Sequence, residues 1–320
     1  MTRLHFTAAD LADITFAPSP NALLETALSV RLPSGMGCSR PELQQWRRLV
    51  KGSLAKRAGV LLDVVPRQGR FIPDFLFQPD ASDFSMGVEL ARRTPAEQLA
   101  DDLGRLPLSA VSGSWRRELA CGEAVAWQTL IDDLYGYFSS SLAPWWPLVR
   151  DTAVVDRGLR AETLLRGGVN ALLATLGDRF RWEPPVLHIQ THVEYDVQLC
   201  GRGLLLIPSY FASGPLLAYR PRHSTVLVYP MYAGDRPATA TDALGPLLGR
   251  TRAAVLATLR RPATTSELAD RLAISRASAS EHSTVLRNAG LISTSRMGSA
   301  VLHALTPLGL SLLAGDSAIG

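Results

Sequence analysis

The sequence predicts an α+β amino-terminal domain with an antiparallel sheet, then a small helical domain closed by a β-hairpin. Three observations point there. Apolar and polar residues alternate along residues 187–199, helix-period runs precede them, and a second group of capped helical runs begins near residue 245. Between the two groups, "AGDRPATATDALG" (Ala233 to Gly245) has no apolar period and reads as a linker. The expected domains are therefore 1–235 and 245–320.

Composition narrows the class. The chain has 320 residues, of which 47% are hydrophobic and 19% charged, enough for two globular cores. Arg3, His5 and Asp10 interrupt the first apolar residues, so no signal peptide is expected, and no long apolar run suggests a membrane span. Cys38, Cys121 and Cys200 are too few and too scattered for a disulfide framework or a metal knuckle. A cytoplasmic protein with no membrane partner is the expectation.

Charge is uneven. Of the formal +4, none lies in residues 1–244, where 25 basic and 25 acidic residues cancel; the last 76 residues carry eight arginines against four acids. A polyanion partner and a merely solvated basic surface are both compatible with that excess.

In the larger part, "PNALLETALSVRL", "AEQLADDL" and "RAETLLRGGVNALLATLGDRF" have helix-forming composition, the last interrupted at Gly167-Gly168. "LHIQTHVEYDVQL" places Leu187, Ile189, Val193, Tyr195, Val197 and Leu199 on one face, as a half-buried and bent strand does. The turn "CGRG" leads to a second strand, "LLLIPSYF", and "STVLVYP" reads as a third. His188, His192 and Glu194 on the polar face are metal-ligand types. Residues four apart on a strand lie about 13 Å apart, however, so a solvated face is expected and no metal.

In the smaller part, "PLLGRTRAAVLATLRR" predicts one amphipathic helix burying Leu247, Leu248, Val255, Leu256 and Leu259. "TTSELADRLA" opens with Thr264 three residues before Glu267, a capping-box spacing. Ser275 suits the N-cap of the next helix. Projected at about 100° per residue, that helix turns Ala279, His282, Val285, Leu286 and Ala289 inward. Arg276, Ala277, Ser280, Glu281, Thr284, Arg287 and Asn288 face out. Small and hydrogen-bonding groups with an arginine at either end suit a helix lying in a DNA major groove. Gly290 is the expected C′ residue, and "LISTSRMGSAVLHALT" reads as two strands around Met297-Gly298 with Arg296 near the tip. The order of elements is that of a winged helix-turn-helix.

"TTSELADRLAISRASASEHSTVLRNAGLISTSRMGSAVLHALT" resembles the DNA-binding domain of ArsR-type bacterial repressors, over about 70 residues. The marks of the resemblance are "SELADRL", Ser280 with His282, "VLRNAGLI" and the "R-x-G" wing. The amino-terminal part, through "TAADLADITFAPSPNALLETALS", "FIPDFL" and "GRGLLLIPSYF", resembles the uncharacterised extension of some actinobacterial members. The resemblance implies a homodimeric transcriptional regulator, a repressor, that meets double-stranded DNA through Arg276, Ala277, Ser280, Glu281 and Arg296. Thr284 and Arg287 share the outward arc. Three departures stand out. Neither "SELADRLA" nor "PLGLSLLAG" carries the metal ligands of the family's sensors, and Ala273 stands where a turn glycine is customary. Glu281 either accepts a hydrogen bond from a base or pairs with Arg276 or Arg287.

For the amino-terminal domain two expectations stand: binding of a small-molecule effector, with Trp145, Trp146, Trp182 and Phe211 as pocket candidates or plain core, or dimerisation alone. Catalysis would need a nucleophile and base such as Ser209 and His223. No G-x-S-x-G elbow or phosphate-binding glycine loop surrounds them, so neither an enzyme nor a cofactor is expected.

Overall fold

The computed structural model describes residues 1–31, 43, 46, 47, 50, 60–65, 72–106, 113–191, 194–218, 224–231, 241–260, 262–297 and 300–314. The chain divides into two compact units. One comprises Met1–Cys38, Gly52–Ser140 and Asp156–Tyr232; the other comprises Ser39–Lys51, Ser141–Val155 and Ala233–Gly320. The second unit thus begins its carboxy-terminal part at the linker and also takes in two earlier segments.

The first unit opens with β1 (Thr2–His5), α1 (Ala8–Ala12), β2 (Ile14–Phe16) and α2 (Ala22–Arg31). Helices α3 (Leu61–Val64), α4 (Phe84–Arg92), α5 (Ala96–Gly104), α6 (Gly113–Ala120) and α7 (Ala124–Tyr137) follow. The long α8 (Trp146–Ala174), which belongs to this unit from Asp156 onward, is broken at Gly168, whose φ of 66° marks the interruption expected at Gly167-Gly168. Then come β3 (Phe180–Glu183), β4 (Val186–Ile189), β5 (Tyr195–Gln198), β6 (Leu204–Ser209), β7 (Leu216–Ala218) and β8 (Thr225–Pro230).

These strands form two four-stranded sheets, β3-β4-β1-β5 and β2-β6-β8-β7. Both are mixed, which corrects the expected antiparallel sheet. The single bent strand is two strands, and β1 lies between them, antiparallel to β4 and parallel to β5. The following strand β6 belongs to the other sheet, parallel to both β2 and β8. The reason is physical: period-two alternation reports which face is buried, not the direction of the neighbouring strand. Leu4, Leu173, Leu187, Ile189, Leu206 and Leu227 join one core cluster.

Two buried polar clusters in this unit have closely matched partners. The Glu25 carboxylate accepts from the backbone N–H of Tyr210 at 2.7 Å and of Phe211 at 2.9 Å, which fixes the exit of β6. Tyr229 donates to Asp156 at 2.5 Å, and Arg160 lies 3.5 Å from the same carboxylate. The Arg160 guanidinium also donates to the Thr175 carbonyl and stands over the Tyr229 ring. On the polar face of the first sheet His188 meets Glu183, and Asp196 holds both Arg3 and His5. His192 lies outside the described residues.

The aromatic candidates do not share one role. Trp145 and Phe211 are fully buried core side chains. Trp182 packs edge-on against Phe6 and donates to Asn170 at 2.8 Å, while Trp146 is half-buried. Ser209 is buried and accepts from the Ala212 N–H, and His223 lies outside the described residues. Among the described residues no helix is long and apolar enough to cross a membrane.

The second unit continues with α9 (Thr241–Leu248), α10 (Arg250–Thr258), β9 (Ala263–Thr264) and α11 (Thr265–Leu272). It ends with α12 (Arg276–Asn288), β10 (Ile292–Met297), β11 (Ala300–Leu305) and α13 (Pro307–Ala314). Here a second expectation is corrected. The predicted single helix is two, parted at Gly249 with φ 86° and ψ 143°, a conformation that favours glycine. Leu248, Val255, Leu256 and Leu259 do pack into the core, but Leu247, before the break, is 71% exposed. Leu268, Ala279, Leu286, Ile292 and Leu305 complete that core. In the same unit, burial raises the pKa of the Asp151 carboxyl, while a hydrogen bond from Ser293 of β10 opposes the shift.

Candidate nucleic-acid interface

The local sequence dictates each joint of the α11–α12 unit. Thr264 Oγ1 accepts from the Glu267 N–H at 3.2 Å, and the Glu267 carboxylate accepts from the Thr264 N–H at 2.9 Å. That is the expected capping box, formed in both directions. Helix α11 ends on Ala273, which adopts φ 52° and ψ 41° where glycine would sit without strain. The turn is held by Ile274, whose N–H donates to Ala269. Ser275 then caps α12 by accepting from the Ser278 N–H at 3.0 Å, as its position predicts.

The far end of α12 is equally defined. Gly290 (φ 72°) donates to Arg287, and Leu291 donates to Leu286 at 2.9 Å. Together these are the two bonds of a Schellman ending, with Leu286 and Leu291 in the common core. The chain passes straight into β10, which pairs with β11 from Ile292↔Leu305 to Met297↔Ala300. Strand β9 pairs with β11 on its other side. Arg296 is exposed one pair from the end of the described hairpin, and Gly298 and Ser299 lie outside the described residues.

Arg276, Ala277, Ser280, Glu281, Thr284, Arg287 and Asn288 are all exposed. The inward face differs. Ala279, Ser283 and Leu286 are buried, whereas Val285 is 39% exposed, Ala289 is exposed and His282 is half-buried. The buried triad, spaced four and three, turns the helix by about 60° from the expected orientation. The direct outward line is now Ala277–Glu281–Thr284–Asn288, with Arg276 and Arg287 on one flank. No ion pair joins Glu281 to either arginine among the described residues. Sequence spacing accounts for this: at five and six residues from Glu281, both guanidinium-bearing positions lie more than a quarter turn round the helix from it.

One residue at the site escaped the sequence reading. His303 of β11 is 4% exposed, and its two ring nitrogens form hydrogen bonds with Thr265 at 2.9 Å and Thr294 at 3.0 Å. It thereby connects the first turn of α11 to β10. Burial, and secondarily the charge of Arg287, push its pKa down to about 4. The alternation Val301–His303–Leu305 in "VLHAL" was the available signal, since it sets the imidazole on one face with two apolar residues.

A family model described as a helix-turn-helix domain matches residues 247–294. No curated protein and no solved structure matches the chain. The matched span runs from the end of α9 to the middle of β10, and contains both capped helices and the turn between them. The chain therefore carries a helix-turn-helix domain of the DNA-binding, transcription-regulator type in its carboxy-terminal part.

Proposed function

We propose that this chain is a transcriptional regulator of the ArsR type that binds an inverted-repeat operator as a homodimer and represses from it. The observation that carries the reading is the outward face of α12. Seven of its thirteen residues are exposed, polar or small, on a helix whose ends are firmly capped at Ser275 and Gly290. A helix so rigidly set, with so little to bury, is suited to lying against a surface of another molecule. The basic excess of the same region favours a polyanion as that surface.

In this reading the β10–β11 hairpin is the wing, and Arg296 reaches the flanking phosphates or minor groove. Arg276, Ala277, Ser280, Glu281, Thr284 and Arg287 face the major groove. Two copies place their recognition helices in successive major grooves, about 34–36 Å apart. The amino-terminal unit supplies dimer contacts and takes a small-molecule effector that shifts the DNA-competent population. The protein acts in the cytoplasm as a regulator rather than an enzyme, and requires no metal or cofactor.

The test is a footprint of the full chain on DNA upstream of its own gene. A protected inverted repeat is expected; binding indifferent to sequence overturns the reading. Arg296→Ala is expected to weaken binding to all sequences and to lower the slope of log affinity against log salt by about one.

A further inference from the structure

We infer that Glu281 reads a cytosine in the major groove and is a principal determinant of this protein's sequence preference. The inference deepens the proposal that α12 is the DNA-facing helix, and rests on it. Its starting point is the orientation of α12. The buried triad Ala279, Ser283 and Leu286 defines the direction of the core, and Glu281 points almost directly opposite. Its neighbours on that line are Ala277 one turn before and Thr284 one turn after, both exposed and both short. Nothing beside Glu281 reaches further from the helix axis along that line.

A carboxylate in that place repels phosphate unless it finds donors. Arg276 and Arg287 do not neutralise it, being about 140° and 120° away round the helix and about 7.5 and 9 Å along it. They flank the line at its two ends and on one side of the helix, as side chains meeting phosphates along one groove wall would. The central position meets base edges instead. Carboxylate oxygens only accept. In the major groove guanine N7 and O6 and thymine O4 are acceptors, so G and T edges are rejected. Adenine offers its N6 donor beside the N7 acceptor, which repels a second carboxylate oxygen. Cytosine offers its N4 donor with only C5–H beside it on its own ring, and is the base selected.

The same chemistry predicts what the closest isostere does. Gln presents a donor as well as an acceptor, and pairs in bidentate fashion with adenine N6 and N7. E281Q is therefore expected to move the preferred base from cytosine to adenine at one position of each half-site. E281A is expected to lose the preference there.

The experiment is selection from a random-sequence DNA library by the full-length wild type, E281A and E281Q, followed by titrations on single-base variants of the selected site at one salt concentration. The side chain is exposed, so both variants should fold; equal melting temperatures establish that they do. Support is a cytosine in the wild-type site whose replacement weakens wild-type binding about tenfold or more, a penalty absent in E281A and turned toward adenine in E281Q. If the wild type selects a sequence but both variants keep its base preferences, binding all sites uniformly more tightly, the inference is overturned and the regulator reading stands. A changed preference at a base other than cytosine also overturns it. If the wild type selects no sequence at all, the regulator reading fails, and this inference with it.

Discussion

Charged and polar groups are used in opposite ways in the first unit and on helix α12. In the first unit two carboxylates are buried and matched: Asp156 is held by Tyr229 and Arg160, and the Glu25 carboxylate receives two backbone N–H groups. On α12 the charges of Arg276, Glu281 and Arg287 stand exposed. The difference separates architecture from interface. A buried charge without partners is expelled by desolvation, so its partners are part of the fold; an exposed one leaves its hydrogen-bonding capacity for another molecule.

The sharpest way to break the contrast is to unmatch a buried group. Asp156→Ala leaves the Arg160 guanidinium buried without its carboxylate and removes the acceptor of Tyr229. A loss of about 3–5 kcal/mol is expected in denaturant unfolding of the first unit. A change as small as that of an exposed ion pair, about 0–1 kcal/mol, would show that this network is dispensable.

Next in size is acid. His303 is buried in the second unit with its pKa pushed down to about 4, below the ordinary value of 6.5. The unfolded chain then binds more protons than the folded one between those values. Stability is full above about pH 6.5 and falls as pH drops toward 4, by up to about 3 kcal/mol, with no further contribution below. His303→Gln removes that slope. Identical pH profiles of wild type and variant, by urea melts across this window, would contradict the burial argument.

Ser283 is an exception that sharpens the comparison: it is 1% exposed and its hydroxyl has no hydrogen-bond partner among the described residues. Ser283→Ala should raise stability by about 1 kcal/mol, seen as a higher melting temperature, and leave the exposed face untouched. A lower melting temperature would mean that the hydroxyl is matched after all. The smallest effect concerns the turn. Ala273→Gly relieves the left-handed backbone at φ 52° but adds freedom to the unfolded chain, so a gain below about 1 kcal/mol is expected. A loss of stability would show that the alanine side chain contributes packing there.

What was legible in the sequence follows the same division. Local chemistry was readable: Thr264 with Glu267, Ser275 and Gly290 each predicted a helix end, because capping depends on residues a turn away. Orientation was less so. The apolar residues of α12 alone define an inward arc that includes Val285 and Ala289. Packing against the neighbouring helices chose Ala279, Ser283 and Leu286 instead, admitting a serine because it is small. A helix with so few apolar groups cannot announce its own rotation. The sheets failed for a longer-range reason. That β1 lies between β4 and β5 depends on contacts spanning most of the first unit, and no local period encodes them. The break at Gly249 was missed because Leu247 and Leu248 match the period of the helix they do not join.

The central claim is that α12 presents its Ala277–Glu281–Thr284–Asn288 line to DNA. The most direct measurement is the affinity of Ala277→Trp for the wild-type binding site. A helix about 10–12 Å across just fits a major groove about 12 Å wide, so a neutral bulky side chain on that line should hold it out. Affinity is expected to fall by at least about tenfold with the melting temperature unchanged. Wild-type affinity in this variant would contradict the account.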